Sequence, residues 1–307
     1  MSWSRRQFAA LPAAACGAPH ASARWVRHPA NPVISLRPGR FDSFHVAAPM
    51  VLREKGVYRM WYSGSDREKN EYHRIGYAES RDGVVWSRRD EPVLSPHDPS
   101  GYYTVPMVLR ENGLYKMWYT GHNGMADLRY ATSRDGIAWR EHSRDPIATR
   151  VYCPSILRDG DLYKMWYTAY DPESGPNRAM VIAFATSRDG LAWTPHEENP
   201  VMRSTEKWEH RNILYPWVLK RRGRFEMFYT SYGRICELAY ATSNDGIRWT
   251  KGTAPVLSPD PGSAYDSLYC SKPCLVEEPD GRDKLYYGAR VDMIHKYYAI
   301  GLAVLNV

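Results

Sequence analysis

Several features that usually place a protein quickly are missing from this chain of 307 residues. Its 5 cysteines form no CxxC pair, so the paired-thiol signature of metal and redox sites is absent. No stretch approaches the ~18 apolar residues of a membrane-spanning helix. Basic residues outnumber acidic ones, 41 to 34, for a formal charge of +7. They are scattered, mostly as Arg, with no basic block, so the balance supports an anionic ligand weakly and supplies no nucleic-acid motif. There is no G-x-S-x-G, H-E-x-x-H, P-loop or G-x-G-x-x-G. What the chain has instead is aromatic residues: 23 Tyr and 11 Trp. With a mean hydropathy of −0.56, this composition suits a soluble protein of many short strands.

The N-terminus reads differently from the rest. "MSWSRRQFAALPAAACGAPHASA" carries Arg5 and Arg6, then Phe8, an Ala-rich stretch and a closing Ala21-Ser22-Ala23. This resembles a twin-arginine export signal with an A-x-A cleavage site, and predicts a periplasmic or extracellular protein. The alternative is an unstructured cytosolic tail. Cys16 after three alanines is a weak lipoprotein box. Of the remaining cysteines, Cys270 and Cys274 stand four apart in a predicted strand. Regular alternation would put them on one side about 13 Å apart, too far for a disulfide. Buried free thiols are expected.

The dominant signal is internal repetition. "YRMWYSG", "YKMWYTG", "YKMWYTA" and "FEMFYTS" are each followed by an alternating "YA" or "FA" run, an S-x-D-G turn and a Trp. An apolar run containing a proline precedes each copy: "VAAPMVL", "TVPMVL", "YCPSIL" and "LYPWVL". Period-two alternation marks strands, and Asp followed by Gly marks a tight turn. Each unit therefore has four strands, A to D, and recurs with the period of a β-propeller blade. A fifth "SKPCLV" run and "KLYYGAR" open a last unit whose D strand is missing, while "RWVRHPANPVIS" at the start has the D-strand pattern with no blade before it. The expectation is an all-β, five-bladed propeller over 24–307, with the N-terminal strand completing the last blade. Asp82, Asp135, Asp189 and Asp245 of the S-x-D-G turns recur too regularly to form one active site and read as scaffold.

Function should lie where the repeats differ. Aligned on Pro49, Pro106, Pro154, Pro216 and Pro273, the A strands carry His45, Tyr102, Arg150, Asn212 and Tyr269 four residues earlier. Alternation points these at the channel, and points Val46, Tyr103, Val151, Ile213 and Cys270 into the packing between units. Seven residues before the proline, three units carry a carboxylate after an aromatic: Asp42, Glu209 and Asp266. Acids around one mouth are what glycosidic cleavage needs, one to protonate the leaving oxygen and one to attack or activate water. The competing reading is a structural cap on the strand lead-in. The B–C loops add Asp66, His122, Asn123, Asp127, Asp171, Arg290 and Asp292, while Tyr152 and Arg211 flank the A strands.

The "NPVI" opening, the "FDSFHVAAP" lead-in and the "MWYSG" strands resemble the five-bladed propeller glycosidases of families 43, 32, 62 and 130. The resemblance covers essentially residues 24–307. It implies a carbohydrate substrate and a catalytic carboxylate from the first blade, which falls on Asp42, with Glu209 or Asp66 as acid. The S-x-D-G turns look like a shortened Asp-box of sialidase-type propellers. The W-M-N-D-P-N-G of invertases is absent. Because family 130 includes phosphorylases, Arg150, Arg211, Lys272 and Arg290 become candidate phosphate or acidic-sugar ligands. Propellers of this group sometimes hold an axial ion, for which His45 is a candidate ligand. Hydrolysis, phosphorolysis and glycan binding without catalysis are the three readings left standing.

Overall fold

A computed structural model describes residues 24–67, 72–122, 126–292 and 299–306. The expected export signal and Asn123 lie outside these residues. Among the described residues, regular structure is all β apart from one 3-10 turn at Gly175–Asn177.

Five antiparallel units follow one another along the chain. Their A strands are His45–Glu54, Tyr102–Glu111, Tyr152–Asp159, Asn212–Arg221 and Tyr269–Val276. The B strands are Val57–Ser65, Leu114–His122, Leu162–Tyr170, Arg224–Tyr232 and Lys284–Arg290. The C strands are Arg74–Ser80, Ala126–Ser133, Met180–Ser187, Cys236–Ser243 and Ala299–Asn306. Short D strands close the first four units, and Arg24–Arg27 pairs antiparallel with the last C strand, Trp25 opposite Leu305. The N-terminal segment thus supplies the outer strand of the fifth unit and covers its edge.

The repeated phrase is explained by contacts between neighbouring units. The B-strand Trp of one unit donates its indole N–H to the glycine carbonyl in the next unit's S-x-D-G turn. The pairs are Trp61 to Gly136 at 2.8 Å, Trp118 to Gly190 at 2.7 Å and Trp166 to Gly246 at 2.6 Å. In the fifth unit the Tyr286 hydroxyl does the same to Gly83 of the first, at 2.8 Å. Between the fourth and fifth units Phe228 packs edge-on against Trp25. Each A strand touches the A strands of two neighbours, the fifth touching the first. Inside each turn the Ser hydroxyl accepts the Gly N–H, and the Asp carboxylate accepts two backbone N–H groups, as Ser80 and Asp82 do for Gly83, Val84 and Val85. Those backbone donors hold all four turn aspartates below the usual carboxylate range. The glycine is required: Gly246 has φ +82, and a Cβ there would stand 2.7 Å from the Trp166 ring.

Alternation fails at one place in every A strand. The register shifts between Ala47 and Met50, Thr104 and Met107, Tyr152 and Ser155, Leu214 and Trp217, and Ser271 and Cys274. In each gap lies a proline preceded by a non-glycine residue with φ between +50° and +56°: Ala48, Val105, Cys153, Tyr215 and Lys272. Proline cannot donate to the ladder, so a strand interior that contains one bulges. A hydroxyl from the preceding unit accepts the N–H that the bulge frees. Ser63 takes Val105 at 3.0 Å, Thr120 takes Cys153 at 3.2 Å, Thr168 takes Tyr215 at 3.0 Å and Thr230 takes Lys272 at 3.2 Å. These are the Ser and Thr of the M-W-Y-[S/T] phrase. The bulge also corrects the expectation for Cys270 and Cys274: they lie in two different core clusters rather than on one side. All four described cysteines are buried and free, as expected.

Candidate active site

The three lead-in carboxylates form one recurring anchor. Asp42 is completely buried and accepts from the Tyr62 hydroxyl at 2.8 Å, Arg37 Nε at 3.0 Å and Arg88 Nη1 at 3.2 Å. Asp266, equally buried, accepts from the Tyr287 hydroxyl and from Arg27 Nε, both at 2.8 Å. Glu209 accepts from the Tyr229 hydroxyl and Lys251 Nζ, both at 2.6 Å, and from the backbone N–H groups of Thr205 and Glu206. The tyrosine always stands at the last position of the M-W-Y phrase, which reads Leu285-Tyr286-Tyr287 in the fifth unit, and the cation always stands two residues past the D-strand Trp. Where the lead-in residue is Pro99, position two past Trp139 holds Glu141, and it accepts from Tyr103 and Tyr119 instead. Where it is Ile147, the corresponding D-strand residue is Pro195. Carboxylate and cation come and go together, as a structural lock requires.

These contacts are those of the structural-cap alternative for Asp42, Glu209 and Asp266. Each carboxylate ties its own unit's lead-in to its B and D strands, and none opens on a common cavity. Burial pushes the Glu209 carboxyl up, but Lys251, Tyr229 and the two backbone donors outweigh it and hold it below its ordinary range.

The cavity on the axis is lined by residues that alternation does not predict. The five positive-φ residues and their prolines, with Met107 and Trp217, line a small cavity of about 30 Å³. Trp217 also lines the cavity on the opposite side and packs against three core clusters, so it forms the floor between the two. Lys272 points its ammonium at the Tyr215 ring, 5.1 Å from the centroid. Burial pulls Lys272 down to about 8; the Cys153 and Cys236 thiols oppose the shift and Arg290 adds to it.

Several further expected residues pair with aromatic or histidine neighbours, and none of them lines the axial cavity itself. The Arg290 guanidinium, 2% exposed, lies 4.0 Å over the Tyr269 ring. The Tyr152 and Tyr215 hydroxyls are 3.4 Å apart. His45 stacks near His73, which in turn meets Tyr102. Burial, with Cys153, Tyr170 and Asp127 close by, pushes the Tyr102 hydroxyl up. Other expected residues stand apart. Asp66 is exposed and ion-paired with Arg74 at 2.5 Å. Asp171 is held by Arg203 at 3.0 Å. Asn212 accepts the Met180 N–H at 2.9 Å and braces a loop. Arg150 and Arg211 are exposed to solvent. His122 ends its B strand opposite Tyr102 and Ala126. Sequence reasoning missed Tyr215, Trp217 and the ring itself; five mid-strand prolines were the available signal. Among the described residues no group of three or more His, Cys, Asp and Glu side chains is placed to hold a metal ion, and no helix is long and apolar enough to cross a membrane.

No protein-family model matches the chain. An uncharacterized protein of Mycobacterium tuberculosis is 33% identical over 133 residues, which is 41% of this chain and 43% of that protein. A 1,2-β-oligomannan phosphorylase of Thermoanaerobacter is 29% identical over 107 residues, 31% of this chain and 35% of the enzyme. These alignments cover less than half the length of the curated relatives. Likeness in structure runs much further. A structure from the family-130 mannoside phosphorylases, a family described as containing glycoside hydrolases that target β-1,2 mannosidic linkages in Candida mannan, superimposes over 92% of this chain and 93% of its own. Its TM-score is 0.75 at 20% identity. A glycosyl hydrolase from Bacteroides ovatus matches over the same shares, with TM-score 0.75 and 19% identity. A thermostable family-43 glycoside hydrolase covers 89% of this chain and 92% of its own, with TM-score 0.69 and 16% identity. The chain therefore has the fold of the propeller-type glycoside hydrolases and mannoside phosphorylases.

Proposed function

We propose that this protein cleaves a glycosidic bond in an oligo- or polysaccharide, and that its five units are blades closed into a ring by the N-terminal strand. The observation that carries the reading is the match of 92% of the chain to a glycan-cleaving fold, with an axial cavity that Tyr215 and Lys272 help to line. Tyr102 and Tyr152, both half-buried, offer surfaces for sugar rings. Lys272, half-buried in the cavity lining, offers charge and hydrogen bonds. With Asp42, Glu209 and Asp266 read as anchors, the expected acids of the B–C segments are Asp171, Asp292, Asp66 and Asp127; Arg203 clamps Asp171 and Asp292 adjoins the buried Arg290, so the reading rests on the last two, Asp66, which pairs with Arg74, and Asp127. We assign them proton donation to the leaving oxygen and activation of the attacking water. Export of the folded protein through residues 1–23 belongs to the same reading, and cell fractionation tests it.

A second reading is phosphorolysis. It is favoured by two cations near the axis, the half-buried Lys272 and the buried Arg290, which suits an anionic co-substrate. One experiment addresses both. The purified protein is incubated with β-1,2-mannooligosaccharides and a panel of aryl glycosides, with and without phosphate, beside Asp66→Asn and Asp127→Asn. Product formation that collapses in at least one variant supports cleavage at this mouth, and phosphate-dependent release of a sugar 1-phosphate selects the second reading. Silence across the panel, or full activity in both variants, rejects the assignment.

A further inference from the structure

Resting on the glycan reading above, we propose that Tyr170 and the loop behind it form a second sugar-binding platform outside the axial cavity. It would grip the part of a longer neutral glycan that projects from the mouth. Tyr170 ends the third B strand, opposite Met180, and is 55% exposed. The other large exposed hydrophobics among the described residues are aliphatic, Val26 and Val85. A scattered exposed aromatic is ordinary on a protein surface; three further observations set this one apart.

The first is position. Tyr170 stands two residues past Thr168, which pairs with Tyr152, so it lies at the same end of its unit as the Tyr152–Tyr215 hydroxyl pair beside the axial cavity. The second is the ring's setting. The Arg178 guanidinium sits 5.6 Å from its centroid, which supports the ring and places hydrogen-bond donors beside it. The third is rigidity. Asp171 N–H bonds to the Ala179 carbonyl at 2.8 Å and closes the loop at its base. Ser174 Oγ donates to the Asp171 carbonyl at 2.7 Å and accepts the Ala179 N–H at 2.9 Å. Arg203 clamps Asp171 and Glu173, each at 3.0 Å. Asn212 of the next unit fixes the Met180 N–H. A loop braced this heavily serves no visible packing purpose, since its residues are mostly at the surface. It holds an aromatic face ready, so a ligand need not order it. A pyranose lays its apolar C–H face on such a ring while its hydroxyls reach Arg178 and the exposed Glu173.

The test uses the full chain and two probes, β-1,2-mannobiose and β-1,2-mannotetraose, with binding followed by calorimetry. The wild type is expected to bind the tetraose more tightly than the biose. Tyr170→Ala weakens the tetraose roughly tenfold, the scale of one aromatic contact, and leaves the biose unchanged within about twofold. Tyr170→Phe keeps both affinities. Equal weakening of both probes, or no change in either, overturns the platform and leaves the glycan reading standing. Failure of the wild type to bind either probe overturns both.

Discussion

Replacing Glu209 by Gln separates an anchor from a catalytic group, because the two roles predict opposite pairs of readouts. Glu209 has a fully buried side chain, and its partner Lys251 is 7% exposed. Four donors converge on the carboxylate: Lys251 and Tyr229 at 2.6 Å, and the N–H groups of Thr205 and Glu206 at 2.8 and 3.0 Å. Gln keeps the shape but removes the charge and turns one acceptor into a donor. The Lys251 ammonium is then left in a poorly hydrated site without its counter-charge, a change that costs about 3 kcal/mol at the low end for buried pairs. For a domain of this size that lowers the melting temperature by roughly 6–12 °C. Pairing the change with Lys251→Met should recover much of the loss, since an apolar pair needs no counter-charge. The anchored carboxylate is also held below its unfolded pKa. Its stabilisation is therefore present above pH ~4.3 and lost as pH falls through the folded value. Wild type should lose its advantage over Glu209→Gln on acidification. The assays are thermal melts across pH and glycan turnover per folded molecule at 25 °C. A melting temperature equal to wild type with turnover reduced about a thousandfold or more would refute the reasoning and return Glu209 to the chemistry.

Other outcomes follow from the same contacts. Thr168→Val keeps the side-chain volume but removes the acceptor of the Tyr215 N–H, and should destabilise the protein by about 1–3 kcal/mol in chemical denaturation. Gly246→Ala forces a Cβ against Trp166 at a residue with φ +82 and should cost about 2 kcal/mol or more by the same measurement. Lys272, with a folded pKa of about 8, binds fewer protons than its unfolded form between that pH and the ordinary lysine value near 10.5. Wild type should accordingly gain stability relative to Lys272→Met as pH rises through that window, by at most about 3 kcal/mol. Trp217→Ala should join the two axial cavities and lower stability by about 3 kcal/mol or more.

The units, their strand order and the outer strand supplied by Arg24–Arg27 were legible because each rests on a repeated local pattern: alternation, an Asp-Gly turn, a Trp before a proline. The buried set of Val46, Tyr103, Val151, Ile213 and Cys270 also followed from alternation. The axial cavity did not, because alternation is the rule that the bulges break. Extrapolating it from His45 or Tyr269 skips the residue before each proline, the one that faces the axis. The acids were ambiguous in sequence for a related reason. A carboxylate after an aromatic looks the same in sequence whether it faces solvent or a buried cation. What distinguishes the two is a residue far along the chain: Arg88 for Asp42, Lys251 for Glu209 and, at the opposite end of the protein, Arg27 for Asp266. Once the D strands are aligned on their Trp, that cation can be read from sequence alone.

The bulged ring separates two tasks that most folds burden on the same residues. The prolines at all five levels, and the neighbouring hydroxyls at four of them, hold the backbone, so the side chains there are not needed to specify the strand. They are accordingly all different: Ala48, Val105, Cys153, Tyr215 and Lys272. One small, one branched, one thiol, one phenol and one amine meet around a single axis, each on its own unit. A chain built this way could exchange its chemistry one letter at a time without renegotiating its architecture. That makes these five codons the natural place to look for divergence among related proteins, and to begin when the specificity of this one is to be rewritten.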